Sequence, residues 1–537
     1  MNVKKIGCGC LSVLALLGAV GGTYAYNKGW HSLAFNQELT PIRGAEVIPE
    51  DAIASLFINT ENKNWQKLEE LGIANLDTAY QQFESDLKRE FTARKLDYEA
   101  DIKPWIGNIM VSGIYDRQEP EESGILLIVG IENPLKAYST YQKIKQSDSF
   151  KQTNYKGVGI NVDNSSSSYQ NYVALLGNKL AISDRENIVK AAIDVFKGEP
   201  SFADAPEVNK VLKQPLKIEN ELVKIYLPSY DELMLEGSRQ GYTSEQIAKL
   251  IPIESFVGGI GTSKEQIEMQ AFTDIKPNLN LVSPDPISNK LAKYYPADTV
   301  LFANGKDINL FWENLVEVAE QDPEFQRILD GVRTSARWIT GLDLDKDVFS
   351  WMDGEFAMGL VADSDSASEL GLDIGFTAIV ESSDRDATEN TLAILSNQVE
   401  NQIGLKAQSK TIDKQTITNW SIPETGLNLS HGWVNNKLKI GIGNNLNDTW
   451  ETRRVDSLEK NKKYARLRKE LPKKAMGYYY LDVDGFISQI EQLQNYSLYS
   501  GEANSLITQI DTVAGVSTMS GENTMKTDLV IKFKESE

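Results

Sequence analysis

Asp97, Glu99 and Asp101 stand at alternate positions, and so do Asp343, Asp345 and Asp347. Carboxylates in such triplets supply the hard oxygen ligands that calcium takes. The spacing departs from the EF-hand loop, however. With Asp343 as the first position, the sixth is Val348 where Gly is needed, and the twelfth is Gly354 where Glu is needed. Helix capping accounts for Asp101 and Asp347 without a metal, since each precedes a short Trp-bearing turn. The six residues are therefore read first as structural and second as calcium ligands.

Other chemistry-bearing groups are few. His31 and His431 are the only histidines, and neither has a partner at a zinc-site spacing. Cys8 and Cys10 are the only cysteines, which leaves the rest of the chain without a disulfide framework, thiol nucleophile or thiolate metal site. Cys8-Gly9-Cys10 reads as small residues at a membrane entry, with a redox pair as the alternative. There is no Gly-x-Ser-x-Gly elbow and no Ser-x-x-Lys followed by Lys-Thr-Gly. Gly157-Val158-Gly159, Gly258-Gly259-Ile260-Gly261 and Gly441-Ile442-Gly443 lack the strand-to-helix setting of a phosphate loop. Asp482-Val483-Asp484-Gly485 reads as a strand end and turn, and Trp105 and Trp351 as core plugs rather than a binding surface. The expectation is a protein that is not an enzyme, with no catalytic residues and no cofactor other than calcium. A metal-dependent hydrolase built on one triplet is the least favoured reading.

The elements that position these residues occur twice. Ile48-Pro49-Glu50-Asp51 returns as Tyr295-Pro296-Ala297-Asp298, and Trp105 and Gly107 return as Trp351 and Gly354. Asn178-Lys179-Leu180-Ala181-Ile182 matches Asn436-Lys437-Leu438-Lys439-Ile440, and Ile225-Tyr226-Leu227 matches Tyr479-Tyr480-Leu481. An offset of about 250 residues is that of a duplicated domain, far above any solenoid period.

The net charge of −21 disfavours nucleic acid and anionic lipid as partners. Residues 1–30 carry Lys4, Lys5 and Lys28 and no acid, so the remainder is more acidic still. Ile6 to Tyr26 is uncharged and, as a helix, would span about 31 Å, close to a bilayer core. With Lys4 and Lys5 on the cytoplasmic side, the bulk of the chain is expected on the far side. An uncleaved anchor is preferred to a cleaved signal peptide, because Tyr24 and Tyr26 are bulky around the Thr23-Tyr24-Ala25 cleavage candidate.

Five segments follow: an anchor over 1–27, a stalk over 28–44, a first repeat over 45–274, a linker over 275–290 and a second repeat over 291–537. A long amphipathic helix is expected from Trp65 to Arg94, with Leu76, Tyr80, Phe83, Leu87 and Phe91 on one face. Its counterpart is one helix from Leu310 to Arg337. Most strand pairs are close enough for hairpins, so the fold class is α+β with largely antiparallel sheets.

The Ile-Pro-x-Asp-Ala strand start (Ile48 to Ala52), the Trp-x-x-Leu helix start (Trp65 to Leu68) and Asp-Ile-x-Pro-Trp-x-Gly (Asp101 to Gly107) together resemble the domain of unknown function 3352, mainly cyanobacterial. The resemblance covers most of residues 45–535. The second copy departs from the pattern, with Ser350 for Pro104 and an added Asp353 before Gly354. The family implies an exported or membrane-attached protein in periplasm or thylakoid lumen, and brings no activity, cofactor or catalytic residue.

The leading expectation is a membrane-anchored, non-enzymatic binding protein with a protein partner, as an assembly or quality-control factor for envelope or thylakoid proteins. The alternative is a carrier of an apolar ligand, lipid or pigment, held between helix and sheet. For that the helices show ordinary core spacings, without a surplus of Phe or Met.

Overall fold

The computed structural model describes residues 38–71, 96–114, 123–144, 150–163, 170–230, 253–263, 266–276, 285–288, 290–320, 323–362, 374–412, 415–422, 428–443, 456–491 and 507–534, with isolated positions between 85 and 92. The Ile6–Tyr26 run, both cysteines and His31 lie outside them. So do most of residues 65–94, expected as one helix, of which the described part ends at Glu69, along with residues 164–169, 231–252 and most of 275–290. Among the described residues no helix is long and apolar enough to cross a membrane.

The described chain divides into two compact units, one running to the strand that ends at Ser263, the other from Phe272 onward. The first unit begins with α1 (Pro41–Ala45), β1 (Ala52–Ile58) and α2 (Asn62–Glu69). A π turn at Tyr98–Ile102 leads to β2 (Ile106–Ile114), β3 (Gly124–Ile131) and α3 (Pro134–Ile144). Then come β4 (Phe150–Tyr155), β5 (Val158–Asp163), β6 (Asn171–Leu176), β7 (Lys179–Ser183), α4 (Glu186–Phe196) and α5 (Pro206–Lys213). β8 (Glu221–Leu227) and β9 (Ile253–Ser263) finish it, and the chain passes on along β10 (Gln266–Ile275). Its antiparallel sheet runs β4-β5-β6-β7-β3-β2-β1-β8-β9.

β3 reads Gly-Ile-Leu-Leu-Ile-Val-Gly-Ile without alternation because both of its faces are covered. Leu126 and Ile128 enter a core with Ile188 and Val189 of α4, while Leu127 and Val129 enter another with Trp105 and Ala137 of α3. Of the 28–44 segment expected as a stalk, residues 38–44 are described. Leu39 is 3 % exposed and α1 is packed against the sheet, with Leu39 and Ala45 in its core.

The second unit contains β11 (Thr299–Lys306), α6 (Ile308–Glu320), α7 (Pro323–Thr340) and a π turn at Leu344–Phe349. β12 (Glu355–Ala362), β13 (Ile374–Val380) and α8 (Arg385–Gln398) follow. β14 (Gln408–Ile412), β15 (Gln415–Ser421), β16 (Asn428–Val434) and β17 (Lys437–Gly443) come next. α9 (Lys462–Glu470), β18 (Gly477–Asp482), α10 (Val483–Glu491), β19 (Ile510–Met519) and β20 (Thr524–Phe533) complete it. The antiparallel order is β14-β15-β16-β17-β13-β12-β11-β18-β19-β20. Each unit is thus α+β. The Ile-Pro and Tyr-Pro motifs do the same local work, pinning the strand start through bridges from Pro49 to Ser201 and from Pro296 to Ser457.

Two sequence expectations, the helix over 310–337 and the turn after Asp482, are corrected. The helix over Leu310–Arg337 is two helices, because Pro323 lacks an N–H and begins a new one. Two hairpins turn on left-handed residues, β6–β7 at Gly177, φ +67°, and β16–β17 at Asn435 and Asn436, both at positive φ. Asp482 ends a strand as expected, but caps α10 instead of a turn, its Oδ1 accepting from Gly485 N at 3.0 Å.

On the inner face of the second sheet, Phe302, Ala357, Tyr478, Tyr480 and Val516 pack with Tyr464 and Leu467 of α9. Phe302 is 0 % exposed, with Tyr295 edge-on at 5.0 Å. Phe302→Ala is expected to cost about 3–5 kcal/mol. Urea unfolding of the second unit checks this; a loss below about 1 kcal/mol would show that the face repacks around the void.

Candidate functional site

The acidic triplets form a capping device in each unit. In the first unit Asp97 accepts from Ala100 N at 2.7 Å, and Asp101 Oδ2 accepts from Asp97 N at 3.0 Å. Lys143 Nζ lies 2.5 Å from Asp101 Oδ1, and Glu99 pairs with Lys103 at 3.0 Å. Burial works to raise the Asp101 pKa, but the Lys143 ammonium and the Asp97 N–H outweigh it and hold the carboxyl below its ordinary range. The hydrogen bond from Lys103 does the same for Glu99.

In the second unit Asp343 accepts from Asp345 N and Lys346 N, and Asp347 Oδ2 accepts from Asp343 N at 2.8 Å. Arg337 pairs with Asp343. The carboxylates of Asp97, Glu99, Asp101, Asp343, Asp345 and Asp347, read in the sequence first as structural and second as calcium ligands, are engaged by the protein's own N–H groups and cations. Alternate positions send the carboxylates to different N–H groups and cations, and among the described residues no three acidic, His or Cys side chains converge on a metal position.

The tryptophans complete the device. Trp105 Nε1 donates to Asp101 O at 2.6 Å, and Thr140 of α3 donates to the same carbonyl. Trp351 Nε1 donates to Asp347 O at 2.8 Å, joined there by Thr391 of α8. Both indoles are core plugs, 0 % and 4 % exposed.

Asp345 differs from the other five. Its Oδ1 accepts from Trp312 Nε1 of α6 at 2.6 Å, and its Oδ2 lies 3.0 Å from Arg333 Nε of α7. Trp312 also stacks on Phe349 of the turn, centroids 4.2 Å apart. Trp312, Ala319 and Leu329 consequently form a small core of their own. The helical hairpin stands off the sheet, and beneath it lies a cavity of about 670 Å³.

The cavity floor follows from strand alternation. Phe302, Tyr478 and Tyr480 turn to the inner core, so Ala303, Gly305, Tyr479 and Ser517 turn outward. Phe356 lies across Gly305, where a Cβ would sit 2.9 Å from its ring carbons. Met358, Met476 and Met525 add soft, deformable walls, and Ile308, Phe311, Trp312, Leu315 and Phe349 form the roof. Phe311 is 50 % exposed and Tyr479 47 %, so the cavity is reached from solvent.

The polar groups on the wall are occupied. Asn304 Oδ1 accepts from Tyr478 N at 2.9 Å, and Ser517 Oγ lies 3.2 Å from Thr527 Oγ1. Lys306 reaches Asp285 at 3.2 Å and Asp307 at 3.6 Å. The hydrogen bond to Asp285 holds the Lys306 pKa above its ordinary value. Asp307 takes φ +60° at the strand-to-helix corner, where its N–H donates to Gly354 O at 3.0 Å.

Residues 10–533 match the family described as a protein of unknown function, DUF3352. The chain belongs to the DUF3352 family. No curated protein matches it. Among solved structures, crystal forms III and IV of TP0453 are similar at 11 % identity. They align over 43 % of this chain and 79 % and 80 % of theirs, with a TM-score of 0.25 in each. That likeness is too slight to bear on fold or function.

In this DUF3352 chain the cavity lies between helix and sheet, where the alternative carrier reading put a ligand, but its lining was not read from the sequence. The helices show no surplus of Met, and the three methionines of the cavity wall lie on or beside strands. The available signal was the pairing of small residues, Ala303 and Gly305, on one face of β11.

His431, on β16 with its ring 5.3 Å from Trp420, lies outside the cavity wall. Burial lowers its pKa to about 4, so it is neutral near pH 7.

Two outcomes follow. The folded state resists protonating His431, so its contribution is complete above about pH 6.5 and is lost as pH falls toward about 4, on the order of 3 kcal/mol. Tm against pH for wild type and His431→Gln measures this; identical acid slopes would assign it to other groups. Asp345→Ala removes the acceptor shared by Trp312 and Arg333, worth about 1–3 kcal/mol locally. Hydrogen exchange should quicken over residues 308–340 and stay unchanged elsewhere; unaltered protection there would show that the apolar cluster alone holds the hairpin.

Proposed function

We propose that the chain is an exported, membrane-anchored, non-enzymatic protein whose second unit carries an apolar ligand, a lipid or pigment chain, in the cavity beneath α6. The observation that carries this reading is the 670 Å³ space walled by aromatic, Met and aliphatic side chains. Its volume suits a small-molecule site. Its polar wall groups already have partners, so a ligand with buried polar atoms would leave them unsatisfied. An aliphatic or polyene segment demands nothing of them.

The Ile6–Tyr26 run beside Lys4 and Lys5 supports the anchor and its orientation. The common strand order of the two units, with the matching Asp, Trp and Thr caps, supports a tandem duplication. The assembly or quality-control role stands second, because no described residue recommends a particular protein partner.

The test is titration of the detergent-solubilised full chain with a fluorescent fatty acid. Wild type is expected to bind at micromolar concentration, and Ala303→Phe, which fills the cavity from the floor, to weaken binding at least about tenfold. Equal binding by both chains, with an unaltered fold, would overturn the assignment.

A further inference from the structure

The apolar surface of α7 is wider than the part the core covers. Phe325 and Leu329 pack toward α6. On the outer side, Ile328 is 54 % exposed, Val332 48 %, Trp338 77 % and Ile339 58 %. At 3.6 residues per turn these four share an arc of about 120° with Gly331 and Ser335. From Ile328 to Ile339 that arc carries no charge.

Two of the three arginines of the helix are engaged elsewhere, Arg333 with Asp330 at 3.4 Å and Asp345 at 3.0 Å, and Arg337 with Asp343, while Arg327 falls outside the arc. The outer face therefore presents no positive charge of its own to an anionic surface, and a net charge of −21 opposes one further. What fits is an uncharged or zwitterionic surface with an apolar interior. A nearly fully exposed Trp at one end suits the headgroup level of such a surface.

The stripe and the cavity roof belong to one helical hairpin. Asp345 grips Trp312 of α6 and Arg333 of α7 together, which fixes the helix that bears the stripe to the helix that roofs the cavity. Phe311 of α6, half-exposed, lies on the cavity wall.

We propose that the outer face of α7 seats on the surface of a zwitterionic bilayer, so that an apolar ligand passes between lipid and cavity without crossing water. The docking itself needs only the stripe; the transfer step rests on the cavity reading above. An uncleaved Ile6–Tyr26 anchor would keep the face at high local concentration near lipid.

The full chain is reconstituted into phosphatidylcholine vesicles containing a diazirine-bearing phosphatidylcholine, photolysed, and its labelled peptides mapped. Label is expected on residues 323–340 as well as on 6–26. In the triple variant Ile328→Glu, Trp338→Glu, Ile339→Glu, label on 323–340 should fall at least about tenfold while label on 6–26 persists. All three positions are exposed, so the variant keeps its fold, checked by unchanged fatty-acid uptake from solution. Label confined to 6–26 in wild type, or label on 323–340 that the variant leaves intact, overturns the proposal. A co-purified protein that shields 323–340 from lipid also overturns it. Ala303→Phe separates the two readings: it should abolish uptake and leave the α7 label. Wild-type labelling without any uptake would defeat the cavity assignment and leave the docking face standing.

Discussion

The second unit is organised around one carboxylate. Asp345 holds an indole N–H from α6 and a guanidinium from α7 at once, on a turn that Asp343 and Asp347 cap reciprocally. Charge-assisted hydrogen bonds of this kind are directional, so they set the position of the helices as well as their stability. A helix pair held by apolar contact alone would settle onto the sheet and close the space below it. Held by Asp345, it packs on its own partner and on the turn, and the outer face of β11 and β18 is left only loosely roofed.

The sheet makes the corresponding allowance. On its inner face large aromatic side chains interlock with α9, and Phe302 and Tyr478 are fully buried. On the outer face of the same strands stand Ala303, Gly305 and Gly477, too small to reach the helix above. Strand periodicity puts the two sets on opposite sides, so one face can be rigid core while the other encloses a cavity. The first unit shows the alternative: β3 is covered on both faces, with Trp105 and Ala137 filling the side away from α4.

Cavity and stripe answer a single physical problem. An apolar molecule is costly to expose to water, and so is an open apolar cavity, so the two are best joined where lipid excludes solvent. The helices roofing the cavity also carry the exposed Phe311, Ile328, Val332, Trp338 and Ile339. Arg333 and Arg337 of α7 are paired to acids of the same unit, which reduces the usual electrostatic contribution to membrane attraction and leaves shape and apolarity.

Much of the architecture was legible in the linear sequence, because local chemistry dictates it. The α+β class, the antiparallel hairpins and the burial of Trp105 and Trp351 follow from periodicity and from backbone groups a few residues away, whereas the N-caps are Asp97 and Asp343, to whose N–H groups Asp101 and Asp347 bond back. Family membership was readable from the Ile-Pro, Trp-x-x-Leu and Pro-Trp-x-Gly motifs. The break at Pro323 was a local signal read too coarsely. What only the tertiary structure decided is the partner of Asp345, the void under α6 and the outward face of α7. Each depends on side chains far apart in the chain, Trp312 with Asp345 or Ala303 with Tyr479, meeting at distances that no spacing records. Amphipathic periodicity says which residues of a helix are apolar; how wide an arc the neighbours cover is set by where they come to rest.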